Sequence, residues 1–447
     1  FRSCRRAADQ TYDTWTYGKR SRGTDHQRIF EITDCHGRQW KQLSVVAFSV
    51  IGNVSLEQKE RNMKFFHLSD LHIGKQLHHY NMIAEQRDIL GKIVALAERE
   101  KPDAVLIAGD IYDTPVPSAE AVSVFDEFLT ALNDLEPEVT VCIIAGNHDS
   151  AKRIDFASDI LAKHRVMIAG MPPVTREETI RKVSFFDAYG EVCIYLLPFV
   201  KPSYVRNLID GDITTYDEAV RLVLERENID TAKRNILVSH QFYTAAGREP
   251  ETSDSEIRMV GGIENVDTAV LEPFDYAALG HIHRKQKIGR VQNRYCGTPL
   301  QYSVSEAGDE KTVTMVELLE KGSEPHITEL PLTPMRRVRK MIGHLDEILN
   351  AAAEDNGHDY VSITLTDEVE AYQPKEKLEQ VYDHILEIKI DNERTRKILE
   401  FSEEEVESLD PYDAFVTFFQ EMNGRAMTEN EDNMIRTVIN GEKEVAE

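Results

Sequence analysis

At 447 residues the chain has room for two to four domains of roughly 100 to 200 residues, each able to bury its own core, which excludes a peptide-sized binder. Hydrophobic residues at 41% and charged residues at 29% are ordinary globular values and exclude a disordered or fibrous chain. A formal net charge of -26 argues against a protein that coats nucleic acid by electrostatics alone, so any such grip must be local, metal-assisted or supplied by a partner.

Residues 1–62 show no sustained periodicity and hold 11 Lys and Arg against 7 Asp and Glu, whereas the rest of the chain is acidic. Residues 59–63 can also be encoded as a purine-rich ribosome-binding sequence ahead of a start codon. The segment is therefore expected to stand outside the fold, as non-native translated sequence or a disordered extension. Its longest apolar run, residues 45–51, is too short to span a bilayer. The five cysteines, Cys4, Cys35, Cys142, Cys193 and Cys296, form no C-x-x-C pair, which excludes a disulfide framework or zinc ribbon and fits a reducing cytoplasm.

From Met63 onward short β-branched runs alternate with helical periodicity, the pattern of an α/β fold. Strands are predicted at 64–69, 104–108, 139–145, 192–197, 235–239 and 276–279. Ile83, Leu90, Ile93, Val94 and Ala97 recur at helical spacing until Pro102 ends the run, and Val122, Phe125, Phe128, Leu129 and Leu132 mark a second helix. The prolines of 331–334, followed by Arg336, Arg337, Arg339 and Lys340, read as a linker. Residues 336–401 read as a small α+β unit, with strands at 360–365 and 385–390 around a helix that begins after Pro374. The stretch 402–447 carries 13 acids and 3 bases. Tyr412, Phe415, Phe418, Phe419 and Met422, then after Gly424 Met427, Met434, Ile435 and Val438, predict two amphipathic helices that dock a partner rather than build a core.

Five strand ends carry polar clusters: Ser69-Asp70-Leu71-His72, Gly109-Asp110, Gly146-Asn147-His148-Asp149, Ser239-His240 and Gly280-His281-Ile282-His283. Loops at the carboxyl ends of strands converge on one crevice in α/β sheets, so these clusters are expected to meet. Asp70, Asp110 and Asn147 with His72, His240, His281 and His283 make a mixed oxygen and nitrogen donor set suited to Mn, Fe or Zn and large enough for two divalent ions. Asp110, central in chain order, is the candidate bridge, since one carboxylate can serve two ions about 3.5 to 4 Å apart. The glycines at 109, 146 and 280 allow the backbone to approach closely. Taken singly, each motif is more often decoration, and Gly-Asn-His-Asp alone is a good turn sequence. All five in order, each after an apolar strand, point to a metal site, because buried His and Asp without partners are costly. His67, inside the first strand, reads as a core histidine, and His78 and His79 as loop residues. Asp149 either orients a histidine or makes a turn hydrogen bond.

The blocks MKFFHLSDLHIG at 63–74, AGDIYDT, AGNHDS, DYAALGHIHRKQ and YCGTPLQYSVSEAGDEK resemble the calcineurin-like metallophosphoesterase superfamily and, within it, the family of SbcD-type nuclease subunits, over roughly residues 63–440. The resemblance implies a four-layer sandwich over 63–335, two mixed sheets flanked by helices, then a capping domain at 336–401 and a partner-binding tail at 402–447. It implies one metal ion on Asp70, His72, Asp110 and His283, a second on Asp110, Asn147, His240 and His281, and His148 as the catalytic acid. Further implications are Mn2+ dependence, exonuclease action on double-strand DNA ends and endonuclease action on hairpins. So are assembly with an SbcC-type ATPase as a dimer of heterodimers, homodimerisation of this subunit, and a cytoplasmic role in DNA repair, recombination and replication. Asp113 stands where archaeal and eukaryotic counterparts carry a second active-site histidine, and it is left out of the catalytic set. A small-molecule phosphodiesterase or phosphoprotein phosphatase could use the same site, but the extra unit, the basic run and the tail would be superfluous. A non-catalytic scaffold at DNA ends would not require all seven donors.

Overall fold

The computed structural model describes residues 61–209, 212–256, 263–355, 357–368 and 373–392, two short paired strands at Glu31–Thr33 and Gln39–Lys41, and scattered positions between 412 and 436. Most of the amino-terminal segment, Cys4 and Cys35 with it, lies outside the described residues, as do Met422 and Val438.

Two six-stranded mixed sheets form the body. The first runs in the order His326–Pro331, Thr312–Leu318, Met63–Leu68, Ala104–Ala108, Thr140–Ile144, Val166–Ala169. The second runs Gln286–Ile288, Arg290–Tyr295, Tyr276–Gly280, Arg234–His240, Gly190–Leu197, Arg181–Asp187. The central strands pair in parallel and read as unbroken apolar runs because both of their faces are covered. Alternate side chains divide the work. Leu106, Ala108 and Ile144 of the first sheet meet Ile194, Leu196, Ile236 and Val238 of the second in the inter-sheet core. Val105, Ile107 and Ile143 point outward onto helices, as do Tyr195, Leu197 and Leu237 on the other side. The result is an α/β sandwich of four layers.

Helix Ile83–Glu100 buries Ile83, Ile89, Leu90, Ile93 and Ala97 and stops where Lys101 turns left-handed, its N–H bonding Ala97. Helix Ala119–Asn133 is capped by the Ser118 hydroxyl and buries Ala121, Val124, Phe125, Phe128 and Leu132. Val122, expected on that stripe, is 46% exposed, one position round from the buried Ala121. Helix Tyr216–Glu225 opens with a capping box between Thr215 and Glu218 and covers the second sheet. Among the described residues no helix is long and apolar enough to cross a membrane, and Cys142, Cys193 and Cys296 are free thiols.

The sequence reading missed the strands of mixed polarity. Thr312–Leu318 inserts antiparallel beside Met63–Leu68, and Arg181–Asp187, with Val183 its buried member, forms an edge. The basic run is not a linker. Arg339 and Lys340 belong to the strand Val338–Gly343, which pairs in parallel with Tyr360–Leu365, itself paired with His384–Ile390. Helices Leu345–Asp355 and Pro374–Leu378 complete this smaller unit, whose own core centres on Leu345, Ile348, Val361, Ile363 and Leu378. Val338, Tyr360 and Leu386 join the main core instead. The Arg336 guanidinium and the Tyr360 hydroxyl both reach the buried Glu85 carboxylate, which fixes the unit on the body.

In the acidic stretch the described positions 412, 415–416, 418–420, 430–432 and 434–436 are helical. Tyr412 bonds Asp432 and lies 3.9 Å under the Arg436 guanidinium, which ties the two stretches together. Phe418 is 57% exposed and Met434 70%.

Candidate metal centre

The apolar strands Met63–Leu68, Ala104–Ala108, Arg234–His240 and Tyr276–Gly280 deliver their polar ends to one side of the sandwich. At the crevice the backbone leaves the extended region abruptly: Asp70, His72, Asp110 and His281 have φ of 52°, 43°, 50° and 98°. Such values are uncommon outside glycine and persist where the surroundings over-determine them, as at ligand clamps. The turns interlock, the Asp70 N–H bonding the Gly109 carbonyl and the His72 N–H that of Asp110, both at 3.0 Å. A Cβ on Gly146 would fall 2.1 Å from Asp110 Oδ1, and one on Gly280 2.0 Å from the Ala108 carbonyl, so the space the sequence reserved with glycine is used.

All seven expected ligands come together. His72 Nε2 and His283 Nε2 are 3.1 Å apart, with the Asp70 carboxylate completing a triad of possible ligand atoms. Asn147 Oδ1 lies 3.0 Å from both His240 Nε2 and His281 Nδ1. Asp110 stands between the two groups, its Oδ2 3.3 Å from His240 Nε2 and 3.6 Å from His72 Nε2.

The donor set fits a cation. His240 Nδ1 is 2.7 Å from the Ala108 carbonyl, an acceptor only, so it carries a proton. In the neutral ring the Nε2 lone pair then faces two acceptors, Asn147 Oδ1 and Asp110 Oδ2. Burial disfavours charge on both His240 and Asp110, yet each counters the other: His240 is raised to about 9 and Asp110 held well below the usual carboxylate range. The crevice thus calls for positive charge, which a proton on His240 or a bound divalent ion can supply, and these residues fit such an ion. His281 is driven the other way, down to about 3, by burial and by the neighbouring His240.

His148 sits differently. Its main-chain N–H donates to Asp110 Oδ1 at 2.9 Å, while its ring Nδ1 is 2.9 Å from the Asp113 carbonyl. The ring packs edge-on to His72 with centroids 4.9 Å apart, and His148 can itself form a ligand triad with His72 and Asp110. Asp149 turns out to hold the loop: its carboxylate accepts from the main-chain N–H groups of Ile111, Tyr112 and Gly146. Burial, with the Asp110 charge nearby, raises Asp149 to about 6. Asp113 reaches Lys75 at 2.9 Å and lies 3.4 Å from His72 Nδ1. His67 is a core histidine, bonded to the Tyr276 hydroxyl and the Leu279 carbonyl. His78 and His79 form the tip of a small hairpin, Gln76–Leu77 with Tyr80–Asn81.

The sequence reading did not find the groups around His283. Ser255, Glu256, Glu306 and Lys311 each touch it or one another. Glu306 and Lys311 lie within the block YCGTPLQYSVSEAGDEK, but nothing in the sequence marks Ser255 or Glu256.

Residues 63–285 match the family model of the calcineurin-like phosphoesterases, and residues 331–423 match that described as the type 5 capsule protein repressor C-terminal domain. The chain is 30% identical over 383 residues to the SbcD subunit of the nuclease SbcCD of Staphylococcus epidermidis, covering 84% of this chain and 98% of that protein. Among solved structures, a dimetal phosphatase from Danio rerio is matched with 15% identity and a TM-score of 0.36, covering 60% of this chain and 99% of that one. The protein TT1561 of Thermus thermophilus gives 12% identity, a TM-score of 0.36 and the same coverage.

Proposed function

The chain belongs to the calcineurin-like phosphoesterases, in the family of the SbcD subunits of SbcCD nucleases, and we propose that it hydrolyses DNA phosphodiesters at a centre holding two divalent cations, Mn2+ in the cell. The observation that carries this reading is the convergence of three oxygen and four nitrogen donors around Asp110. Asp70, His72, Asp110 and His283 would hold one ion and Asp110, Asn147, His240 and His281 the other. Bound ions supply neutralisation of the phosphodiester oxygens and a water acidified enough to attack near neutral pH.

The residues of the chain do the rest. Asp110, whose Oδ2 lies within 3.6 Å of both His72 and His240, links the two ligand groups. His148 is half-buried with Nδ1 tied to the Asp113 carbonyl, so a proton on Nε2 is the one it can give to the leaving sugar oxygen. A cleft of about 570 Å³ lies beside the centre, lined by Lys75, Lys340 and Lys389, by Asp254 and Glu387, and by the hydroxyls of Ser362 and Thr364. Action on double-strand ends and hairpins, an SbcC-type ATPase gripping the acidic tail, and a cytoplasmic role in DNA repair belong to the same reading. Homodimerisation belongs to the same reading, with Phe156 and Ile160, 80% and 62% accessible, as exposed apolar side chains it could cover.

The test is Mn2+-dependent cleavage of plasmid DNA and of a nitrophenyl phosphodiester. The chain should cut both and Asp110→Ala neither. Cleavage of the small diester with DNA left intact would replace this reading by a small-molecule phosphodiesterase, and inertness toward both by a scaffold.

A further inference from the structure

We propose that Glu306 and Lys311, acting through Ser255, are positioning residues that fix the orientation and tautomer of His283 for one of the two cations; this rests on the two-cation reading above. Glu306 is fully buried and Lys311 only 7% exposed. The Glu306 carboxylate accepts from Ser255 Oγ at 2.7 Å and Ser303 Oγ at 3.0 Å on one oxygen, and from Lys311 Nζ at 2.6 Å on the other. Ser255 Oγ is 2.6 Å from His283 Nδ1, and Lys311 Nζ donates to the His283 carbonyl at 3.1 Å. His283 is therefore held at its ring and at its backbone, with both holds anchored on one carboxylate.

Proton counting assigns the tautomer. An ionised carboxylate only accepts, so the single Ser255 hydroxyl proton points to Glu306 and Ser255 Oγ must accept from His283 Nδ1–H. His283 Nε2 is left with its lone pair directed at His72 Nε2, 3.1 Å away, where a cation is wanted. A buried ion pair seldom repays its own desolvation as a stabilising device. This one stands where outer partners of a ligating histidine fix ring and tautomer.

The experiment is Mn2+ titration calorimetry on the full chain. Ser255→Ala breaks the link to the ring and leaves the Glu306–Lys311 pair intact. It should weaken one of two Mn2+ equivalents about 10- to 100-fold without changing the melting temperature of the cation-free protein, and Ser255→Thr, which restores a hydroxyl, should recover the affinity. Glu306→Gln alone strands a buried lysine and can fail to fold, so the double variant Glu306→Gln with Lys311→Met is used as well, with the same selective loss expected. Wild-type affinity for both equivalents in Ser255→Ala and the double variant, with His283→Ala losing one, overturns the inference and spares the two-cation reading. Retention of both equivalents by His283→Ala overturns the reading itself and the inference with it.

Discussion

At His148 the main chain and the ring serve different masters, the N–H holding Asp110 and the imidazole reaching toward the crevice. Removing only the ring should therefore leave the ligand set in place. We expect His148→Ala to lose DNA cleavage by about 10²- to 10⁴-fold while calorimetry still counts two Mn2+ equivalents; loss of an equivalent would make His148 a ligand. His67 gives a prediction of another kind. Burial lowers it to about 3 from an ordinary 6.5, so between those values the unfolded chain binds a proton that the folded chain excludes. The stability this group leaves intact above pH 6.5 is lost as pH falls toward 3, at up to about 1.4 kcal/mol per pH unit. His67→Gln, which can still bond Tyr276 and Leu279 but does not titrate, should flatten the fall in urea-unfolding free energy between pH 6.5 and 4.

Among the elements, strand ends and their turns matter more than helices. The loop after Thr140–Ile144 must pass so close to Asp110 that Gly146 has no room for a methyl group. Gly146→Ala is expected to push the Asp110 carboxylate out of register, lowering Mn2+ affinity for both sites and abolishing cleavage, whereas a folded variant of unchanged affinity would show that the loop can yield. The smaller unit illustrates how a sequence cue misleads. Four basic residues after two prolines look like a linker, yet Val338 in their midst is 3% exposed and its N–H bonds the Gln301 side chain at 2.7 Å. The strand is buried at Val338 and open beyond it, so the adjacent Arg339 and Lys340, which point to opposite faces, both keep access to solvent.

For the whole molecule the expectations concern its two flanks. Deleting residues 402–447 should spare Mn2+-dependent hydrolysis of the nitrophenyl diester, since no site residue lies there, and should abolish co-purification with an SbcC-type ATPase; undiminished co-purification would refute the docking role. A chain beginning at Met63 loses the Arg61–Asp103 ion pair, in which the arginine is 38% exposed, and the bond from the Ala188 N–H to the Arg61 carbonyl. The part-exposed pair is worth about 0–1 kcal/mol and the backbone bond about 1 kcal/mol, so the melting temperature should fall by no more than about 4 °C and the nuclease rate should not change. A larger loss of either would show that residues 1–62 belong to the working fold.

The α/β class, six central strands and the seven clustered donors were legible in the sequence because parallel strands buried on both faces are written as apolar runs, and their carboxyl ends meet whatever the loops between them do. The glycines carried the same information, since close approach leaves no room for a Cβ at Gly146 or Gly280. What tertiary structure alone decided is who stands behind the ligands. Ser255 reaches His283 across 28 residues, and the strand Thr312–Leu318 comes to lie beside Met63–Leu68 from the far end of the catalytic body. Such partners are chosen by how the two sheets stack. Sequence periodicity records which side of an element is buried and is silent about what it is buried against.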